Sequence, residues 1–548
     1  MSLRQQMINP VPEETARVAR AAFPKGNIYM KMRDEMGTFY QDEDFGELYP
    51  AVGQPAEAPW RLALVTVMQF AENLTDRQAA DAVCSRIDWK YALGLELTDA
   101  GFHFSILSDF RARLIKGKAE QVLLERMLEV FQERGWLKAG QRQRTDSTHV
   151  VGHLRDLSRI EMVGETLRYT LNTLATVISD WLETRVPQEW YERYGKAFDE
   201  YRMPKDKVAL VSLAEQIGQD GAQLLDWIED ETGMDWLPKL PAIVTLRQVW
   251  EQQYERQSGA THWRNKDDLP TSADTISTPY DPEARFCRKR EVAWTGYKTH
   301  MTETCDPDLP HLITHVETTV STLPDGNVVD LIHASLAQQD ILPSQHVVDN
   351  AYTPSPNLVS SQESGVDLLG PVDLDYSWQA RLPDGVDLSQ FQIDWDIHTV
   401  QCPGGQTNTS WRDQRDKHGN PVIQVRFSSD TCRPCPLLQQ CTHSRQGCRV
   451  LTLLPQAQYL ALQQARRRQT TEDFKTAYRT RAGVEGTLSQ AVQVGDIRHA
   501  RYRGLSKTHL QNIATAAALD LSRCIHWLLG KPFAKTRISR FAALAPCS

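Results

Sequence analysis

Apolar and polar residues alternate along this chain with two different periods, and the change from one period to the other divides it. Residues 60–116 carry a helical pattern. Leu62, Val65, Met68 and Gln69 begin a stripe that runs to Leu74. Thr75-Asp76-Arg77-Gln78 then fits a capping box and opens a second helix through Val83. Ser105 is placed to cap a third helix carrying Phe110, Arg111, Arg113 and Lys116. Short helices ending on a basic one suit a helix-turn-helix DNA reader and suit a plain helical bundle equally. Before them, residues 1–57 are Pro-rich and irregular, with one short helix near residues 12–23, and read as an arm packed on something else. Residues 118–136 add an amphipathic helix.

The period then shortens. Arg144-Thr145-Asp146-Ser147-Thr148-His149-Val150 is a β-prone run just after the Gly-bearing turn at 138–142, and it presents one carboxylate. Residues 156–257 return to the helical period, through Leu167, Leu171, Leu174 and Val177. Trp181, Trp190, Tyr191 and Tyr194 there read as core rather than as base-stacking platforms. Strand signals come back at 291–303 and 312–322, the second ending in the turn Pro324-Asp325-Gly326-Asn327. A helix at 329–340 follows, then a strand over His346-Val347-Val348-Asp349. This order predicts a mixed sheet flanked by helices. From 451 onward the chain is helical again and closes with an apolar helix near 513–529. No internal repeat or low-complexity stretch stands out.

Between these regions, residues 361–450 are broken by Gly, Pro, Asp and Cys, with short strand-like pieces such as 421–427. Here lie Cys402, Cys432, Cys435, Cys441 and Cys448, with His443 alongside. Cys402, Cys432, Cys435 and Cys441 are the preferred set for a tetrahedral structural Zn²⁺ site; the other reading is unpaired buried thiols.

Composition narrows the picture only slightly. The 548 residues are 41% hydrophobic and 24% charged, as in ordinary globular proteins. No apolar run is long enough to span a bilayer, and the first residues lack the apolar core of a signal peptide. The expectation is a cytoplasmic protein with reduced thiols and no membrane association. Net charge is −9, yet from Pro436 to the end 17 Lys and Arg stand against 5 Asp and Glu. Such a segment can neutralise phosphates although the whole chain is acidic. Arg288-Lys289-Arg290 and Lys298, beside the predicted strands, are also explained by a nearby DNA backbone.

The candidate chemistry rests on three acids. Asp146 stands within one β-prone run and Asp349 on a similar strand, and Glu485 lies on a later helix behind Tyr478 and Arg481. Two strand carboxylates and one helix carboxylate can hold two divalent ions, and oxygen donors favour Mg²⁺ or Mn²⁺. Tyr478 and Arg481 precede Glu485 on one helical face.

These residues resemble a family. The chain is similar to the DDE transposases of bacterial insertion sequences, close to the 1182 family and more broadly to the fourth and fifth families. Gln69 to Asp76, Asp88-Trp89-Lys90-Tyr91 and Ser105 to Leu114 resemble the family's N-terminal helical domain. Asp146 to Thr148 resembles its first acidic motif, and Asp349 followed three residues later by Tyr352 the second. Tyr478, Arg481 and Glu485 have the spacing of the third, and Cys432 to Ser444 looks like the cysteine-rich insert of this branch. One position departs: the wider motif has a Lys seven residues after the Glu, where this chain has Val492. That DNA contact is either missing or supplied from elsewhere, as by Lys507 or Arg501.

The resemblance implies a ribonuclease-H-like α/β core, a mixed sheet flanked by helices, with Asp146 and Asp349 on neighbouring strands and Glu485 on the helix beside them. It divides the chain into an N-terminal arm (1–57), an all-α DNA-binding domain (58–140), the first core strand (141–154), a helical insertion (155–258), the core proper (259–360), a Cys-rich insertion (361–450) and basic helices completing the core (451–548). It implies cleavage at element ends and joining of 3′-hydroxyls to target DNA. Terminal inverted repeats and target are double-stranded DNA, and the synaptic complex is expected to be a homodimer. The expected DNA contacts are Tyr478, Arg481, Arg498, Arg501, Arg503 and Lys507. His149 and Asn350 are expected to be structural rather than part of the chemistry. The competing readings are a nuclease of the same fold that does not join strands, a domesticated and inactive DNA binder, and a zinc-dependent interaction protein.

Overall fold

The Arg144–Val150 run lies in the interior of a six-stranded mixed sheet. In the computed structural model, which describes residues 2–3, 8–198, 203–257 and 259–531, this sheet consists of β1 (Gln143–Val151), β2 (Arg285–Lys289), β3 (Val292–Thr304), β4 (Ile313–Val320), β5 (Gln345–Val347) and β6 (Asp367–Leu369). Lys535, Arg537 and Arg540 of the basic C-terminal segment lie outside the described residues. β1 pairs antiparallel with β3 along its whole length and parallel with β5 at Gln143 and Arg144. β5 pairs parallel with β6, while β2 and β4 pair with successive stretches of β3. The parallel pairs need crossovers, and the helix Val329–Gln338 supplies the one before β5. β1 is buried along most of its length, so it reads as a run of Thr and Val without a wet face.

One hydrophobic core joins the two ends of the chain. Leu62, Val65, Phe70 and Phe110 of the N-terminal helices share it with Met301 and Val316 of the sheet and with Ile513 to Ile525 of the last helix, Leu505–Leu528. That helix is buried over most of its length, and Ala514, Ala516, Ala517 and Ala518 let its neighbours approach closely. Two of its buried polar residues bond across the core: Asp520 accepts from the Ile313 N–H at 2.9 Å, and Asn512 donates to Thr318 at 2.9 Å.

The segment between β1 and β2 is helical as its period predicts, with helices Arg159–Val177, Lys207–Glu229 and Pro241–Gln253 closing a core of their own around Leu167, Leu224 and Trp250. Trp190 and Tyr194 are inside it, whereas Tyr191 is half exposed. A third, small core of Val400, Val425, Phe427, Leu451 and Leu453 belongs to the Cys-rich stretch, where Ser410–Arg415, Pro421–Arg426 and Val450–Leu453 form a three-stranded antiparallel sheet.

Three local readings change. The N-terminal arm is not irregular after residue 23: a helix Ile28–Met36 follows, its first N–H groups capped by Asn27, and Tyr29, Met32, Tyr40 and Phe45 are buried. Ser105 opens its helix but does not cap it; its hydroxyl meets His103 at 2.9 Å. β5 ends at Val347, and Asp349 instead caps the following turn, accepting from the Ala351 N–H at 2.9 Å.

Candidate active site

Period 2 puts Arg144 and Asp146 on one face of β1, and each anchors part of the site. Arg144 donates to Glu303 on β3 at 2.7 Å and to the Thr480 carbonyl at 2.5 Å, so it ties the turn before the Glu485 helix to the sheet. Gly483 makes room for it, since a Cβ there would run into the Arg144 guanidinium. Glu303 is fully buried and also takes Thr487 at 2.5 Å and Arg523 at 2.8 Å. Burial by itself would raise its pKa, but Arg523 and Arg144 hold the carboxyl below the usual range. One carboxylate thus binds the Glu485 helix, the last helix and two strands together.

The three acids converge on one side chain. Arg481 donates to Asp146 Oδ2 at 2.6 Å and to Glu485 Oε1 at 3.0 Å, and its guanidinium is 3.8 Å from Asp349 Oδ2. Asp146 is the most enclosed of the three and Glu485 the most exposed, with side-chain exposures of 12% and 64%. Burial raises the Asp146 pKa above its ordinary value against the pull of Arg481, and Asp349 adds to the rise. Glu485 lies in the first turn of the helix Ala482–Gly495, where the helix dipole favours a negative charge. Tyr478, Arg481 and Glu485 do not share one regular helix. Tyr478 ends Glu472–Tyr478, Arg481 lies in a 3₁₀ turn, and Glu485 is in the next helix.

All three acids, Arg481 and Arg498 line one open cavity of about 500 Å³. Its other wall carries Lys289, Arg290, Trp294 and Lys298. Arg498 reaches it by bonding Thr148 Oγ1 at 3.1 Å. Lys289 and Arg290, which the sequence suggests lie near a DNA backbone, are brought to the acids by the β2–β3 hairpin. Trp294 was not singled out at all; a Trp on a strand ordinarily reads as core. His149 packs against Trp294 with ring centroids 5.4 Å apart, and burial with the nearby Arg498 keeps its pKa low. Lys298 is bound to Asp325 at 2.5 Å, which also accepts from Ser147 at 3.1 Å. Asn350 is used structurally, donating to the Pro371 carbonyl and to Asp373.

The remaining sequence candidates lie elsewhere. Tyr478 stacks on Phe474, with centroids 5.6 Å apart, against Val347 and Leu369. Arg501 donates to the Leu74 carbonyl at 3.0 Å, bonds Asn73 and lies over the Phe70 ring, joining the two ends of the chain. Arg503 lies 5.2 Å from the Tyr280 ring, and Lys507 is exposed on the last helix. Val492, where the motif has Lys, packs against the main core. In the helix Ser105–Gly117, Arg111 is buried in an ion pair with Asp76 at 2.5 Å and Arg113 lies over Tyr49. Both of its arginines are therefore spent inside the fold.

Residues 401–525 match the family described as Transposase DDE domain, and residues 17–113 match Transposase domain (DUF772). The two matches indicate a DDE transposase of insertion-sequence type. The first spans Glu485 and all four preferred cysteines, and the second spans the Gln69–Asp76 and Asp88–Tyr91 stretches. No curated protein and no solved structure matches the chain. A DDE domain implies a ribonuclease-H-like fold, which the mixed sheet flanked by helices agrees with. Transposases act on DNA, and DDE domains generally use divalent ions. Among the described residues no three His, Cys, Asp or Glu side chains are already grouped closely enough to hold a metal, and no helix is long and apolar enough to cross a membrane.

Proposed function

We propose that this transposase, close to the 1182 family, cuts the ends of an insertion sequence and joins the freed 3′-hydroxyls to target DNA. The observation that carries the reading is the meeting of Asp146, Asp349 and Glu485 on Arg481 at a cavity whose other wall is basic.

The donor set fits Mg²⁺ or Mn²⁺, because every candidate ligand is a carboxylate oxygen. Asp146, Asp349 and Glu485 would hold the ions, and two of them would supply an activated water or hydroxyl and charge neutralisation at the leaving oxygen. The chain's own side chains do the rest. Arg481 turns its planar donor fork from the carboxylates to the phosphate next to the scissile bond. Arg498, beside the acids, and Lys289 and Arg290, on the far wall, hold the DNA backbone, where phosphate contacts position the strand. Arg498 takes the part of the missing lysine. His149, kept neutral by its surroundings, orients Trp294 rather than binding phosphate. Arg503 and Lys507 extend the basic surface, while Arg501 and Tyr478 serve the fold.

In this reading residues 155–258 and 361–450 are insertions into the core, the helices of 58–140 brace it, and the working form is a cytoplasmic homodimer that pairs two element ends.

The test is a donor plasmid carrying the gene with its own flanking DNA, incubated with purified protein, Mg²⁺ and a target plasmid. Sequenced donor–target junctions are expected. Nicked ends without junctions would make the chain a nuclease, and bound but uncut DNA an inactive binder.

A further inference from the structure

Cys402 and, thirty residues later, the cluster Cys432, Cys435 and Cys441 line one small cavity in the Cys-rich segment. Cys402 opens the turn after the strand Thr399–Gln401, Cys432 ends the helix Ser429–Cys432, Cys435 follows it, and Cys441 ends the helix Leu438–Cys441. The cavity measures about 30 Å³, room for one ion or one water and for no organic ligand.

The backbone around it is shaped for sulfur. The Gln406 N–H donates to Cys402 Sγ at 3.4 Å, and the Gly405 N–H closes the turn onto the Cys402 carbonyl at 2.9 Å. Gly404 faces two thiols at once: a Cβ there would be 3.5 Å from Cys435 Sγ and 3.6 Å from Cys402 Sγ. The two other soft donors nearby are excluded by position. His443 is stacked flat on Trp378 with centroids 3.9 Å apart, and Cys448 does not line the cavity.

We propose that Cys402, Cys432, Cys435 and Cys441 bind one Zn²⁺ as a closed, four-thiolate structural site. Four protein ligands leave no open position for substrate, which is the arrangement of a staple and not of a catalyst. A staple suits this segment, because its own core is only a handful of side chains. Among the described residues the thiols line the wall without standing at ligand distance, so the two short helices and the Cys402 turn would close slightly to hold the ion.

The test uses the full-length protein, produced with zinc and freed of any metal-binding tag, and measures bound zinc by elemental analysis. About one zinc per chain is expected. Paired Cys432→Ser and Cys435→Ser changes should abolish it, and Cys84→Ser, at an exposed thiol outside the segment, should not. Cobalt exchanged into the wild-type protein should give the visible bands of a tetrahedral site and a sulfur-to-cobalt charge-transfer band. That readout needs no variant to fold. Wild type without zinc and without those bands would overturn the proposal, as would zinc retained when Cys432 and Cys435 are both serine.

Discussion

The Arg481 guanidinium donates to Asp146 across 2.6 Å, joining a turn late in the chain to the interior strand of the sheet. Asp146 is enclosed enough that burial outweighs this partner and raises its pKa. A protonated Asp146 cannot ligate a cation. Cleavage should therefore fall as pH drops through that raised value. Arg481→Ala removes the charge that opposes protonation, so the acidic limb of the pH–rate profile should move to higher pH. Cleavage at the optimum should fall on the order of 10²-fold, as for other lost transition-state donors. An unmoved limb would show that Arg481 does not act on Asp146.

Glu303 tests the frame rather than the chemistry. Glu303→Gln leaves Arg144 and Arg523 buried with less than their full counter-charge, and stability should drop by about 3 kcal/mol at neutral pH. The sign of the pH effect follows from its lowered pKa. The contribution of a depressed carboxylate is present above the unfolded pKa and is lost as pH falls through the folded one. The gap between wild type and variant in urea melts should thus narrow on acidification.

Gly483→Ala asks whether the Glu485 helix is seated by Arg144. The added methyl group meets the Arg144 guanidinium, an overpacking cost of about 1–3 kcal/mol. Activity should be lost together with a lowered melting temperature, while Gly486→Ala, where a Cβ meets nothing, should change stability little.

The basic residues separate by what they touch. Arg498→Ala should weaken DNA binding across sequences and reduce the salt slope by about 1, read by fluorescence anisotropy at several salt concentrations. Arg501→Ala should leave that slope unchanged and lower the melting temperature, because it loses Leu74, Asn73 and the Phe70 face.

Much of this was legible before any coordinates. Asp146 and Asp349 stand out because each is a lone acid in a short β-prone run, and the helical period of 156–257 needs no tertiary information. The fate of the arginines was not legible. Arg111, Arg113 and Arg501 look as free as Arg498 in one dimension, and only packing against Asp76, Tyr49 and Phe70 distinguishes them. The arm was misread for a related reason. Its Pro and Gly residues punctuate two short helices, and the buried Tyr and Met side chains of the second are held by the rest of the fold rather than by local pattern.

Asp146, Asp349 and Glu485 are expected to act as one site. The most direct measurement compares cleavage of DNA carrying the element's own ends by wild type, Asp146→Asn, Asp349→Asn and Glu485→Gln, in Mg²⁺ and in EDTA, with DNA binding recorded for each. Cutting by wild type in Mg²⁺ alone is expected, with silence from all three variants while each still binds DNA. Cutting by wild type in EDTA, or by any one variant at the wild-type rate, would contradict this expectation.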